Sequence, residues 1–166
     1  MSTLITIRRA ARADLARVET LLLRSFPRLL KGAYPPSTMV LAVPKLLRAD
    51  RAQIESGRHW VAVDDRDRLI AAGGWVETRR SWADARGGAV RQFVTDPAFV
   101  RRGLGAAIMA QVIKTARDAG MGTLSCQATL NAVPFYAALG FESRGRRCIS
   151  LGPAVEFEFE AMVRKL

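Results

Sequence analysis

The stretch AVRQFVTDPAFVRRGLGAAIMAQVIKTARDAG, residues 89–120, decides the fold of this 166-residue chain. Residues 89–95 form an apolar run of the β type that ends at Asp96-Pro97. After a turn that contains Gly103 and Gly105, apolar residues recur at spacings of three and four, which predicts a helix that ends at Gly120. A strand, a glycine turn and a helix in this order favour an α/β architecture.

The segments before this stretch predict one strand, two helices and a hairpin. Residues 4–7 are a short β run, and helical patterns begin at Asp14 and after Tyr34-Pro35-Pro36. We expect Pro27 to close or kink the first helix and Pro44 to interrupt the second. Residues 49–56 favour a further short helix, and residues 59–63 and 69–76 read as an antiparallel hairpin, followed by a loop over residues 77–88.

The segments after it complete an α/β fold. Residues 123–128 are a predicted strand, residues 131–139 a short helix, and the chain from Phe141 onward supplies two last strands. The predicted order is β-α-α-β-β-β-α-β-α-β-β. This order indicates an α/β domain with a mixed sheet.

The composition is that of an ordinary globular protein, with 49% apolar and 25% charged residues. The length favours a single domain over residues 1–166. Because the sequence has neither a bilayer-length apolar run nor the regions of a signal peptide, we expect a cytoplasmic protein with no membrane partner.

The charge of the chain is strongly basic, since 26 lysines and arginines outweigh 15 acidic residues by 11. The cations are spread along the chain, without a run of five or more basic residues. We therefore do not expect nucleic-acid binding to be the main role. An anionic small ligand accounts for the same charge.

The cysteines and the histidine exclude several kinds of site. Cys126 and Cys148 do not form a Cys-x-x-Cys pair, and both are expected to be buried free thiols. His59 is the only histidine, so we expect no metal site. Any Ser/His or Cys/His mechanism would need His59 as its base.

The turn between residues 100 and 106 is a candidate anion site. The free N–H groups at a helix start point towards an anion, and glycine lets the backbone approach it closely. Arg101 and Arg102 add positive charge at the same turn. The alternative interpretation is a glycine turn that only packs a helix on the sheet.

A second segment, Asn131 to Phe141, gives the pattern a specific meaning. Val94-Thr95-Asp96-Pro97, Arg102-Gly103-Leu104-Gly105, and Asn131 with Phe135-Tyr136 and Leu139-Gly140-Phe141 together resemble the GCN5-related N-acetyltransferase (GNAT) superfamily. The motifs lie within residues 89–141, and the flanking elements fit the family fold, which implies a mixed, mostly antiparallel sheet flanked by helices. Val100 stands where the family pattern has Gln or Arg.

The resemblance implies a site for acetyl-CoA. The strand over residues 89–95 would separate from the strand over residues 124–128, and the pantetheine arm would lie in the gap. It implies cofactor contacts by ten residues, which are Phe93, Val94, Thr95, Arg101, Arg102, Gly103, Leu104, Gly105, Ala106 and Asn131. Asn131 has helix capping as its alternative role.

The resemblance also implies a catalytic acid. Tyr136 is similar to the family tyrosine that protonates the leaving thiolate, with a packed core tyrosine as the alternative. The identity of the general base is open. Glu77 at the end of the preceding strand is one candidate and His59 is another, and a water chain would need neither residue. A covalent intermediate on Cys126 is not expected, because the family transfers the acetyl group directly.

These features predict an acetyl-CoA-dependent N-acetyltransferase that acts on a primary amine of a small molecule or peptide. The alternative is a non-catalytic CoA-binding or regulatory module with the same fold. Arginines in the variable segments 26–57, 78–88 and 144–154 favour an acceptor that carries a carboxylate or phosphate. Relatives are often dimers, so a homodimer is one expected state.

Overall fold

The computed structural model describes residues 3–79 and 86–166, which form a sheet and flanking helices. The strands are β1 (Thr6–Arg9), β2 (His59–Val63), β3 (Leu69–Thr78), β4 (Gly87–Thr95), β5 (Thr123–Ala128), β6 (Glu142–Gly152) and β7 (Val155–Lys165). The helices are α1 (Leu15–Leu29), α2 (Pro36–Leu46), α3 (Arg51–Glu55), α4 (Leu104–Asp118) and α5 (Val133–Ala138). None of the described helices is long and apolar enough to cross a membrane.

The seven strands form a single sheet in the order β1-β2-β3-β4-β5-β7-β6. Every neighbouring pair is antiparallel except β4 and β5, which are parallel. The predicted α/β class, with a mixed, mostly antiparallel sheet, is therefore confirmed. The short helix predicted over residues 49–56 is α3, which begins after the capping residue Asp50.

Both faces of the sheet centre are covered by helices. All five residues of β2 are buried, and its four apolar residues alternate between two apolar clusters. Trp60 and Ala62 belong to the cluster that contains the buried face of α4, while Val61 and Val63 belong to the cluster that contains α1. Because side chains alternate along a strand, this division shows that α1 and α4 pack on opposite faces.

Two prolines interrupt the helices less than predicted. Pro27 lies inside α1, whose end is closed by the Leu30 N–H donating to the Phe26 carbonyl at 2.9 Å, and Pro44 lies inside α2. Both prolines stand within the last three residues of their helices. Few main-chain bonds remain to be lost there, and the packing of buried neighbours such as Val43 outweighs that loss.

The predicted loop over residues 77–88 is shorter in the structure. Glu77 pairs with Gly88 and Thr78 with Gly87, so both strands extend into the predicted loop. Residues 80–85 lie outside the described part of the chain. The polar composition of this segment masked its β pairing, because exposed strand ends tolerate polar residues.

The sheet opens between its two parallel strands. β4 and β5 pair only at Gly87–Thr123, Gly88–Leu124 and Ala89–Ser125. From Val90 onward β4 continues its pairing with β3, whereas β5 continues with β7. One side of β4 over residues 90–95 is therefore not hydrogen-bonded to β5, and this gap positions the candidate site.

Candidate active site

Two cavities lie where the strands separate. The larger has a volume of about 730 Å³ and extends to the glycine turn before α4. The smaller has a volume of about 210 Å³ and extends towards α1 and β7. We call them the turn cavity and the inner cavity. They share five lining residues, Phe26, Phe93, Thr129, Ala132 and Tyr136.

The turn cavity brings together most of the residues predicted to bind the cofactor. Nine of the ten line it: Phe93, Val94, Thr95, Arg101, Gly103, Leu104, Gly105, Ala106 and Asn131. Arg102 does not. Its guanidinium lies 5.0 Å from the centre of the Phe99 ring, where a cation–π contact holds it. The positive charge at the cavity therefore comes from Arg101.

The turn itself has the geometry of an anion cradle. Gly103 adopts φ +77°, which is left-handed backbone that suits glycine, and it precedes the first residue of α4. The first hydrogen bond of the helix is made by the Ala107 N–H, which donates to the Gly103 carbonyl at 3.0 Å. Within the described chain, the N–H groups of Leu104, Gly105 and Ala106 have no main-chain acceptor. These three donors are available to a phosphate.

A bulge in β4 places Phe93 between the two cavities. Gln92 has φ +51°, and the register with β3 shifts between Ala72 and Gly74. A Cβ atom on Gly73 would lie 2.5 Å from the Phe93 ring, so glycine is required opposite the bulge. The bulge redirects the Phe93 side chain into the lining of both cavities.

Tyr136 lies at the junction of the cavities and is only 7% exposed. Its ring packs edge-on against Phe135 and Phe141, with centroids 5.1 and 5.4 Å apart. Burial raises the pKa of Tyr136 well above its ordinary value, and the nearby Cys126 adds to this effect. The phenol is therefore neutral at pH 7. No hydrogen bond to its hydroxyl occurs among the residues that the structure describes, so the hydroxyl is available to a ligand.

Asn131 does not cap α5. It lies inside a 3-10 turn, Leu130–Ala132, and the residue at the start of α5 is Ala132, without a side-chain capping bond. Asn131 is exposed and lines the turn cavity. The alternative capping role is therefore wrong.

The two candidate bases, Glu77 and His59, lie away from both cavities. Glu77 pairs with Gly88, which places it about 17 Å along β4 from Phe93 at the usual rise per residue. The Arg86 guanidinium, 2.7 Å away, lowers the pKa of the exposed Glu77 carboxyl. The prediction that Glu77 faces the site is wrong, because strand pairing holds it at the opposite end. His59 is fully buried beside Gln53 and lines neither cavity.

The two cysteines differ in their environments. Cys126 is buried and lines the inner cavity, and burial strongly raises the pKa of its thiol. A protonated thiol is a poor nucleophile. Cys148 is exposed on β6, so the expectation that both thiols are buried is wrong for Cys148. β6 is an edge strand whose side chains are mostly exposed, which the sequence did not reveal.

The inner cavity was not predicted. Its walls are largely apolar, and Arg91 is the one charged residue among the described residues that line it. The signal was present in the sequence, since Arg91 is the only charged residue in the apolar run over residues 89–95. Neither cavity is lined by a described Asp, Glu or His. The described residues also contain no cluster of side chains that could hold a metal ion.

Solved structures with the same fold span the whole chain. The GCN5-related N-acetyltransferase from Rhodopseudomonas palustris has a TM-score of 0.75 at 18% identity, and covers 100% of this chain and 99% of its own. The PaiA N-acetyltransferase from Thermoplasma acidophilum, in complex with coenzyme A, has a TM-score of 0.73 at 14% identity over 100% of both chains. One longer structural neighbour is matched over only 35% of its own length.

A polyamine N-acetyltransferase from Drosophila melanogaster, which forms N-acetylagmatine, has a TM-score of 0.68 at 18% identity, and covers 98% of this chain and 100% of its own. A search of curated proteins gave no match. The family model described as the acetyltransferase (GNAT) domain matches residues 41–154, which include the strand gap, the glycine turn and Tyr136. The chain therefore belongs to the GNAT acetyltransferase family.

Proposed function

We propose that the chain is an acetyl-CoA-dependent N-acetyltransferase that transfers the acetyl group directly to a primary amine, and that residues 1–166 act as one domain. The observation that carries the proposal is the meeting of the two cavities at Tyr136. A donor in the turn cavity and an acceptor in the inner cavity would then face each other across one neutral hydroxyl. Family membership supports the reaction class.

Acetyl-CoA fits the groups that line the turn cavity. The free N–H groups of Leu104, Gly105 and Ala106 would hold the pyrophosphate, with Arg101 adding charge. The pantetheine arm would lie along the side of β4 that faces away from β3, near residues 93–95. Asn131 lines the same cavity and can hydrogen-bond the cofactor. Acetyl-CoA supplies the activated acetyl group.

The proposed reaction needs only one catalytic side chain, the proton donor Tyr136. The neutral amine nitrogen attacks the thioester carbonyl carbon, the C–S bond breaks, and the thiolate takes the proton of the Tyr136 hydroxyl, while the proton that the amine nitrogen releases returns to the phenolate through water. A neutral phenol buried among aromatic rings suits this role. Because no described carboxylate or histidine lines either cavity, the amine loses its proton to water rather than to a dedicated base.

Titration calorimetry with acetyl-CoA tests the donor site. Gly103→Glu adds a carboxylate where the pyrophosphate would lie, and we expect at least a tenfold loss of affinity. Gly57→Glu is the matched control, since Gly57 has φ +75° against +77° for Gly103 and a Cβ atom at either position meets no atom within 4 Å. Equal affinity in the two variants would contradict the assignment of the turn.

The absence of a described acidic lining residue also favours the second candidate, a non-catalytic CoA-binding or regulatory module. That module binds acetyl-CoA but acetylates none of a broad panel of amines. Release of free CoA in the presence of an amine, with a matching acetylated product, separates the two functions and removes the second.

A further inference from the structure

The inner cavity combines a single positive charge with apolar walls. Arg91 lies on β4 two residues beyond the last residue paired with β5, and its side chain lines the cavity. The walls are formed by Leu22, Phe26, Leu46, Ile149, Phe157 and Phe159. Arg91 is exposed to solvent, so it lies at the opening of the cavity.

The Arg91 guanidinium has no carboxylate partner within the described part of the chain. Among the described residues, its one hydrogen bond goes to the neighbouring Val90 carbonyl at 3.3 Å. Partial burial lowers the pKa of Arg91, and the charge of Asp50 only partly opposes this shift. The Asp50 carboxylate accepts hydrogen bonds from the N–H groups of Ala52 and Gln53 instead. The lowered pKa of Arg91 indicates a charge that an anion would stabilise.

The neighbouring residue offers a hydrogen-bond acceptor. Gln92 lines the same cavity, and its Nε2 donates to the Arg48 carbonyl at 2.8 Å. Its Oε1 is buried and has no partner among the described residues. An amine N–H close to β4 would satisfy this oxygen.

We infer that Arg91 binds a carboxylate of the acceptor, so that the substrate is a small amine that carries one carboxylate and an apolar side chain. This inference rests on the proposed function and defines its acceptor class. An apolar amino acid meets all three features of the cavity: the carboxylate pairs with Arg91, the side chain packs on the apolar walls, and the amine that faces Tyr136 has an N–H for the Gln92 Oε1.

Charge and size exclude the other acceptor classes. A polyamine would bring positive charge beside Arg91 and would find no described carboxylate in the lining. A phosphate dianion carries two negative charges against the single positive charge of Arg91, so a carboxylate matches the charge of this cavity better. The volume of about 210 Å³ is below the roughly 300–1,000 Å³ of sites for drug-sized ligands, which favours a small acceptor.

The test compares leucine with 3-methylbutylamine, which is leucine without its carboxylate. The kcat/KM of each acceptor is measured in the unaltered protein, in Arg91→Gln and in Arg117→Gln. Arg117 is an exposed arginine in the last turn of α4 that lines neither cavity, so its variant controls for the loss of one charge.

We expect Arg91→Gln to lower the leucine-to-amine ratio of kcat/KM by about tenfold or more, and Arg117→Gln to leave it unchanged. The ratio is compared between variants because the two amines differ in their own pKa values. Affinity for acetyl-CoA should stay the same in Arg91→Gln.

An unchanged ratio in Arg91→Gln, or a higher kcat/KM for spermidine or phosphoethanolamine than for leucine, overturns the acceptor class but leaves the transferase intact. Failure of acetyl-CoA to bind, or binding without acetylation of any amine, overturns the proposed function and this inference with it. The two failures are therefore distinguishable.

Discussion

Tyr136 is the only titratable side chain among the described residues that lines both cavities, and its hydroxyl has no partner within them. Tyr136→Phe removes that hydroxyl and keeps the ring that packs against Phe135 and Phe141. We expect kcat to fall by about 100-fold, the lower range for loss of a general acid. Steady-state release of CoA with a good amine acceptor measures the effect.

The affinity of Tyr136→Phe for acetyl-CoA, measured by titration calorimetry, should match that of the unaltered protein. A variant that binds acetyl-CoA normally and keeps full kcat would show that Tyr136 only packs. Weaker binding with unchanged kcat would place the hydroxyl in cofactor recognition instead.

Single residues show which parts of the site the sequence could predict. The glycine turn and Tyr136 belong to local patterns, and the structure brings them to one cavity. Glu77 was misplaced because a residue's position along a strand depends on its register with the neighbouring strand, which one sequence does not fix. Arg91 was missed because its surroundings come from α1, α2, β6 and β7, all distant in sequence.

Among the helices and strands, contacts between elements that are distant in sequence hold the wall of the inner cavity in place. The Tyr34 hydroxyl, between α1 and α2, donates to the Glu158 carbonyl of β7 at 2.7 Å and accepts from the Leu130 N–H at 2.9 Å. Its ring stacks on Phe157 with centroids 4.6 Å apart. One side chain thus ties the helical wall to β7 and to the turn that carries Asn131.

Tyr34→Phe keeps the stacked ring and removes both hydrogen bonds. Because Tyr34 is buried, the change leaves the Leu130 N–H without its partner, and we expect the free energy of unfolding to fall by about 1–2 kcal/mol. Urea unfolding followed by circular dichroism measures this loss. A stability equal to that of the unaltered protein would mean that water replaces the hydroxyl at both groups.

Most of the helices and strands could be predicted, because apolar periodicity depends on nearby residues. The exceptions have a common cause. Pro27 and Pro44 were expected to disrupt their helices, yet the packing of α1 and α2 on the sheet retains them. The inner cavity depends on where α1 and α2 pack, so local patterns could not reveal it.

For the entire fold, the buried His59 links stability to pH. His59 is fully buried, and this burial lowers its pKa from 6.5 to about 4. Its Nε2 has no partner among the described residues, and its Nδ1 lies 3.5 Å from the Gln53 Nε2. The folded protein therefore keeps this imidazole neutral, while the unfolded chain takes up a proton as the pH falls below about 6.5.

The unfolded state binds more protons in this interval, so the free energy of unfolding falls as the pH is lowered from 6.5 to about 4. The shift of about 2.5 pH units corresponds to a loss of about 3 kcal/mol. The Arg8 guanidinium lowers the pKa of the buried Asp14 carboxyl. The stability that this ion pair contributes is lost only when the pH falls below the ordinary carboxyl range near 4. Between pH 6.5 and about 5 the histidine therefore dominates the change, because the carboxyls whose pKa values are lowered, Asp14, Asp64 and Glu77, titrate in the unfolded chain mainly below this interval.

His59→Phe and His59→Gln remove the titrating group. Both are expected to lower stability at pH 7, because the imidazole packs tightly against Gly74. A Cβ atom on Gly74 would lie 2.5 Å from the imidazole. The readout is therefore the slope of unfolding free energy against pH, measured by urea unfolding at four pH values. We expect a slope of about 1 kcal/mol per pH unit in the unaltered protein and a nearly flat profile in both variants. A slope that persists in the variants would assign the acid sensitivity to carboxylates, and the neutral histidine would then be a packing element without influence on the pH range in which the fold survives.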